Sequence, residues 1–291
     1  MDLLTRRRFL SRAAQAGAGL AALGAAAAPR VSKMRFGFTS YQWGADWDVP
    51  TTIANCTKAQ AFGVELRTQE KYASGVEVSL SDAQRREVKK RFADSPVKLV
   101  GLACSEKYDW LEPAKLNEAI ETTRAHLKLS QDVGGHGLRV FVNDFHKEVP
   151  HEKTIEQVAR ALNTVGKIGA DYGQLIRLEN HGSAGDLVTI RKVMDGVNQK
   201  NVRIKLNGLP ADAADFANRF PLVKNILDDT LHFHELGRGD FPYQLQSDLL
   251  IDAGWDGVWL LEASSKVPDR YQALVDQHRL WDAMVAQSLN R

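Results

Sequence analysis

The sequence predicts an α/β protein, a single-domain (β/α)8 or TIM barrel, on three observations. From residue 34 onward, eight short apolar runs of strand length alternate with longer amphipathic runs, the rhythm of parallel strands joined by helices. No Gly-x-Gly-x-x-Gly opens the first helix, which argues against the alternative of an open doubly wound sheet with a dinucleotide crevice. The 291 residues suit a barrel of about 250 residues once a distinct N-terminal segment is set aside.

That segment, residues 1–30, runs from Thr5-Arg6-Arg7-Arg8-Phe9-Leu10 into an Ala/Gly/Leu stretch ending at Pro29, with no acidic residue between Asp2 and Asp46. A basic region, a short apolar region and small residues make an export signal. Arg6-Arg7 followed by Arg8-Phe9-Leu10 resembles the twin-arginine motif, which directs folded proteins across the bacterial inner membrane. The expectation is a periplasmic protein whose transient partner is the twin-arginine translocase. The apolar run is too short and too rich in Gly and Ala for a permanent span; an anchoring amphipathic helix is the alternative. Cleavage near Ala28 removes Arg6, Arg7, Arg8, Arg12 and Asp2, turning the formal net charge of +2 slightly negative. The basicity thus belongs to the leader, and a nucleic-acid partner is not expected. Cys56 and Cys104 lack metal-type spacing and read as buried free thiols, with a disulfide the alternative in an oxidising compartment.

The barrel domain, residues 34–291, begins with the strand MRFGFTSY (34–41), followed by GVELR (63–67), VKLVGLAC (97–104) and GLRVFVN (137–143). The second half continues with QLIRLEN (174–180), VRIKLN (202–207), TLHFHE (230–235) and GVWLLEA (257–263). Each is rich in Val, Ile, Leu or Phe and bounded by turn residues. Segments 49–63, 82–94, 114–135, 152–173, 184–199 and 243–257 place apolar residues at three- and four-residue spacing, as helices do, and several end in Gly. The connection 208–229 is the least regular, and its helix is expected to be short or broken near Pro221.

The strands of the second half end in chemically capable side chains: Glu179 and His181, Asn207, His232 and His234, then Glu262. Carboxyl ends of parallel strands converge on one face, so these residues predict one pocket. Residues two apart share a face of a strand. This groups Arg177 with Glu179, Lys205 with Asn207, and His232 with His234. Carboxylate, amide and imidazole together suit a divalent ion such as Mg²⁺, Mn²⁺ or Zn²⁺.

The rhythm together with LENHG, HFHELG and GVWLLE resembles the xylose-isomerase-like TIM-barrel superfamily, the sugar phosphate isomerase/epimerase group, over essentially all of the chain after residue 33. The resemblance implies a metal held by Glu179, Asn207, His232 and Glu262, with the two glutamates exchanging protons with a sugar. It also implies that Arg238, six residues beyond His232, binds the sugar, as would Glu65 at the end of strand two, whose other reading is a barrel-mouth salt bridge with Arg67. His181 and His234 are expected to touch substrate, with orientation of Glu179 and direct metal ligation as their respective alternatives. Asn207 stands where the group has an Asp, and Pro210 where a His often follows. Asn207 weakens the expected cage, so Lys205 or Arg177 could instead place a cation between Glu179 and Glu262; Lys205 is otherwise a substrate contact. Trp43, Trp47, Tyr108 and Trp110 could wall a sugar ring or simply pack. Asn143, Asp144 and His146 form a polar loop after strand four, while His126 and His278 fall on predicted helices.

The expected activity is a sugar isomerase or epimerase that moves a proton next to a carbonyl with metal assistance. Export argues for a non-phosphorylated sugar, keto-sugar or glycoside rather than a phosphorylated metabolite. A keto-sugar lyase or dehydratase would use the same residues. The reading from another class is a non-catalytic periplasmic carbohydrate-binding barrel with a decayed metal site. A phosphodiesterase of the endonuclease IV type needs more ligands than these strand ends offer. The assembly state, monomer or oligomer, is left open.

Overall fold

The computed structural model describes residues 30–69 and 71–291, and Ser32–Arg291 form one compact unit. The twin-arginine-like segment lies outside the described residues. Eight strands alternate with helices: β1 Arg35–Thr39, α1 Val49–Lys58, β2 Gly63–Arg67, α2 Asp82–Ala93, β3 Lys98–Lys107, α3 Pro113–Val133, β4 Gly137–Phe141 and α4 His151–Asp171. The second half runs β5 Leu175–Glu179, α5 Leu187–Asp195, β6 Val202–Lys205, α6 Pro210–Ala213, α7 Phe216–Val223, β7 Thr230–Phe233, α8 Tyr243–Asp252, β8 Val258–Leu261 and α9 Arg270–Leu289. The expected (β/α)8 barrel is the observed fold.

The strands pair in parallel in the order β6-β5-β4-β3-β2-β1-β8-β7. The remaining seam, between β6 and β7, is narrower. There the Asp228 amide donates to the Ile204 carbonyl and the His232 amide to the Leu206 carbonyl, both at 2.7 Å. This seam brings the end of β6 beside His232.

Local chemistry starts and stops the helices. Ser81 and Gln84 close a reciprocal capping box on α2, Asp186 accepts from the Val188 and Thr189 amides at α5, and α3 ends at Gly134 in the left-handed region. The segment after β6 is split as expected, but at Ala214–Asp215; Pro221 lies inside α7. That short helix forgoes one interior backbone bond at Pro221 and ends in a 3-10 turn, Lys224–Ile226.

Side chains such as Leu138, Val140, Ile176, Leu178, Phe233 and Trp259 are buried, packing the outward strand faces beneath the helices. Inside the barrel, charged tiers stand beside a small apolar cluster of Val100, Val258 and Leu260. At the bottom Arg177 reaches across the floor, its Nε 2.8 Å from Asp228, its Nη2 2.8 Å from Asp229, and its Nη1 donating to the Val100 carbonyl. Arg177 therefore does not sit between the two glutamates, the place considered for it above. Glycines at the starts of β3 and β4 make room for it: a Cβ on Gly137 would stand 2.6 Å from the guanidinium carbon, and one on Gly101 would collide with Nη1.

Candidate active site

Above this floor lies a tier built around Glu65 of β2. Its Oε2 accepts from Lys205 Nζ at 2.8 Å and its Oε1 lies 2.7 Å from His232 Nε2; all three side chains are fully buried. Burial alone would raise the Glu65 carboxyl, but Lys205 and His232 beside it bring it down to about 2. An ionised carboxylate only accepts, so Glu65 fixes the proton on His232 Nε2 and turns Nδ1 toward the mouth. Glu65 and Lys205, expected as substrate contacts, instead brace this imidazole from below. Lys205 does not lie between Glu179 and Glu262; it also donates to Thr230.

The top tier gathers four strand ends. His232 Nδ1 lies 3.1 Å from Glu179 Oε2 and 3.5 Å from Glu262 Oε2. Asn207 Nδ2 donates to Glu179 Oε1 at 2.8 Å and to Glu262 Oε2 at 3.3 Å. Burial and Lys205 oppose a proton on His232, but Glu262, Glu179 and Glu65 outweigh them and hold the imidazolium well above its ordinary range. Glu179 is likewise pulled down to about 2, against its burial, by His232 first and then by His181 and Asn207.

The side chain that sequence reasoning missed is Arg139 of β4. It is fully buried, its Nε is 2.8 Å from Glu179 Oε2, its Nη2 is 3.9 Å from Glu262 Oε1, and its Nη1 donates to the Cys104 carbonyl. Besides the His232 imidazolium, it is Arg139, not Lys205 or Arg177, that places a cation beside both glutamates. Strand alternation carried the signal, since Arg139 pairs in register with Arg177 across β4 and β5 and so shares its inward parity.

The mouth opens into a cavity of about 370 Å³ lined by Tyr41, Arg67, Arg139, Phe141, Glu179, His181, Asn207, His234 and Glu262, among others, within the size range of small-molecule sites. His181 lines it with Nδ1 3.2 Å from Asn143 Oδ1 and its ring against Phe141. His234 Nε2 lies 3.8 Å from Glu262. Arg238 is outside the lining, half-exposed and paired with Glu235 and Asp240. Of the two readings of the loop aromatics, packing holds for Trp43, Trp47 and Tyr108, which are buried in the core; Trp110 lines a separate pocket, and Tyr41 and Phe141 face the mouth. Cys56 and Cys104 are free and buried, both thiols pushed up to about 12 by burial.

The donor set fits a divalent ion. Glu179, His232 and Glu262 each offer a ligand atom, all within 4.8 Å of one another. Asn207 Oδ1 is buried without a hydrogen-bond partner among the described residues, and Glu179 Oε2 and His232 Nδ1 meet only as charges. Turning the Asn207 amide over would present its oxygen to the same space. A ligating imidazole is neutral, so metal binding here releases the Nδ1 proton.

A family model described as the xylose isomerase-like TIM barrel matches residues 53–207, more than half of the chain. The chain belongs to this family. Solved structures of the same fold include an L-ribulose 3-epimerase, at 16% identity over 88% of this chain and 95% of that one, with a TM-score of 0.73. A 3-keto-D-glucoside 4-epimerase from E. coli gives 14% identity over 87% and 100% of the two chains and a TM-score of 0.71. The IolI protein with a bound zinc atom gives 15% identity over 88% and 99%, with a TM-score of 0.74. Identities this low establish a shared fold. Among curated proteins no sequence matches.

Proposed function

We propose that this family member is a sugar isomerase or epimerase acting on a non-phosphorylated sugar or keto-sugar, with Glu179 and Glu262 carrying the proton transfer. The observation that supports it is the pair of glutamates that meet at His232 Nδ1 and both line the mouth cavity. The epimerase names of proteins sharing this fold accord with it. Glu179, Asn207, His232 and Glu262 would hold a divalent ion, Mn²⁺, Mg²⁺ or Zn²⁺. Such an ion supplies Lewis-acid polarisation of the substrate carbonyl and its neighbouring hydroxyl.

The two glutamates are held unequally. Both oxygens of Glu179 are engaged, Oε1 by Asn207 and Oε2 by Arg139 and His232. Glu262 is more loosely held, with its contacts at 3.3 Å or longer, and is the first base. Glu179 faces the same cavity and, after taking a proton from solvent, delivers it where the stereochemistry inverts, while Glu262 gives up the proton it removed. Arg139 offers a fixed positive charge to an oxygen that gains negative charge during proton abstraction. Tyr41 and Phe141 provide apolar surface for a sugar ring, and His181 and His234 are polar contacts at its edge. Arg238 joins them only if its loop moves inward.

The test is solvent deuterium exchange into free ketoses and keto-glycosides, followed by NMR. Glu262→Gln is expected to slow exchange by about 10²–10⁴-fold, the range for loss of a general base, and Glu179→Gln to suppress inversion. Full turnover in both variants would remove the catalytic pair. Export supports the choice of a non-phosphorylated substrate: we read residues 1–30 as a twin-arginine signal that delivers the barrel, residues 34–291, to the periplasm. The motif Arg6-Arg7-Arg8-Phe9-Leu10 is its support.

A further inference from the structure

Each tier inside the barrel sets a basic side chain against its carboxylates. Arg177 answers Asp228 and Asp229, and Lys205 answers Glu65. In the top tier Arg139 answers Glu179: its Nε stands 2.8 Å from Oε2, the oxygen nearest His232 Nδ1. Asn207 contributes no charge. With His232 neutral, Glu262 is the single carboxylate of this tier left to balance an incoming dication.

We propose that Arg139 is a resident cation that sets the metal affinity of this site, keeping divalent ions weakly held. The inference rests on the metal reading above. Two physical arguments support it. Affinity for a hard divalent ion follows the net negative charge of its ligand set, and here a buried guanidinium cancels one of two carboxylates. The guanidinium and the ion also claim the lone pairs of one oxygen, in a buried setting where repulsion between cations is poorly screened. Arg139 cannot shed its charge to relieve the conflict, because guanidinium stays protonated in proteins. Its hydrogen bond to the Cys104 carbonyl and its position over the Phe141 ring, 4.0 Å from the centroid, hold it in place. Asn207 and Arg139 thus act in the same direction, one withholding a negative charge and the other adding a positive one.

Calorimetric titration of the folded protein with Mn²⁺ and with Zn²⁺ tests this without any substrate. Arg139→Met and Arg139→Gln are each expected to tighten ion binding at least tenfold, and Asn207→Asp to do likewise. Arg139→Lys, which keeps the charge, is expected to stay within about threefold of wild type. A merely structural Arg139 would make the neutral variants bind more weakly. If the Met variant fails to fold, the Gln variant, whose amide reaches the place of Arg139 Nε beside Glu179 without carrying its charge, decides the matter. Unchanged or weaker binding in the neutral variants, or equal tightening in the Lys variant, would overturn the role of the charge while leaving the metal reading intact. Uptake of neither ion by wild type or by Asn207→Asp would overturn both.

Discussion

Glu65 is absent from the cavity lining, yet His232 and Lys205 both depend on it. Its carboxyl lies at about 2 in the folded protein against an ordinary 4.5. A depressed carboxyl contributes stability that is present above the unfolded value and is lost as pH falls through the folded one. Urea unfolding of the wild type should therefore show stability declining between about pH 4.5 and 2, with Glu179 and Glu235, also near 2, adding to the slope. Glu65→Gln should be less stable at pH 7 by about 3–5 kcal/mol, because Lys205 is left buried without its counter-charge, and its acid slope should be shallower. An unchanged slope would show that Glu65 is not the group titrating. At this scale the strand-end residues Glu179, Asn207, His232 and Glu262 were visible in the sequence as types and spacings. The Glu65–Lys205 pair was not, because its partners are 140 residues apart and only closure of the barrel joins them.

At the scale of elements, periodicity located all eight strands, since each is a short, mostly buried run bounded by turn residues. What periodicity could not rank is the polar residue inside such a run. Arg139, Arg177 and Lys205 share the inward parity of their strands, but how high each reaches depends on strand stagger. Arg177 turns down to Asp228 and Asp229, and Arg139 stays level with Glu179. The glycines of β3 and β4 permit this arrangement. Gly137→Ala should destabilise the protein by about 1–3 kcal/mol as an overpacking change, measured by urea unfolding, because the new methyl group meets the Arg177 guanidinium. A neutral result would mean that Arg177 has room to move. Elsewhere Glu235 does similar work between elements, its Oε1 accepting from the Ser264 and Ser265 amides and so tying the loop after β7 to the loop after β8.

For the whole molecule, the barrel turns strand ends scattered from Arg139 to Glu262 into one cavity, and no helix among the described residues is long and apolar enough to cross a membrane. The export proposal makes its own prediction: replacing Arg6 and Arg7 with Lys should leave the protein in the cytoplasm of a bacterial host that exports the unaltered chain, as cell fractionation would show. Equal export of both forms would refute a twin-arginine route. The amino-acid sequence by itself determined the α/β class, the eightfold repeat and the polar chemistry at the strand ends, because those follow from local periodicity and turn composition. The tertiary structure alone decided which charges meet. It put Arg139 beside Glu179, sent Glu65 and Lys205 beneath His232, and left Arg238 outside the cavity. Charge pairing acts over a few ångströms in space, and spacing along the chain does not encode that distance.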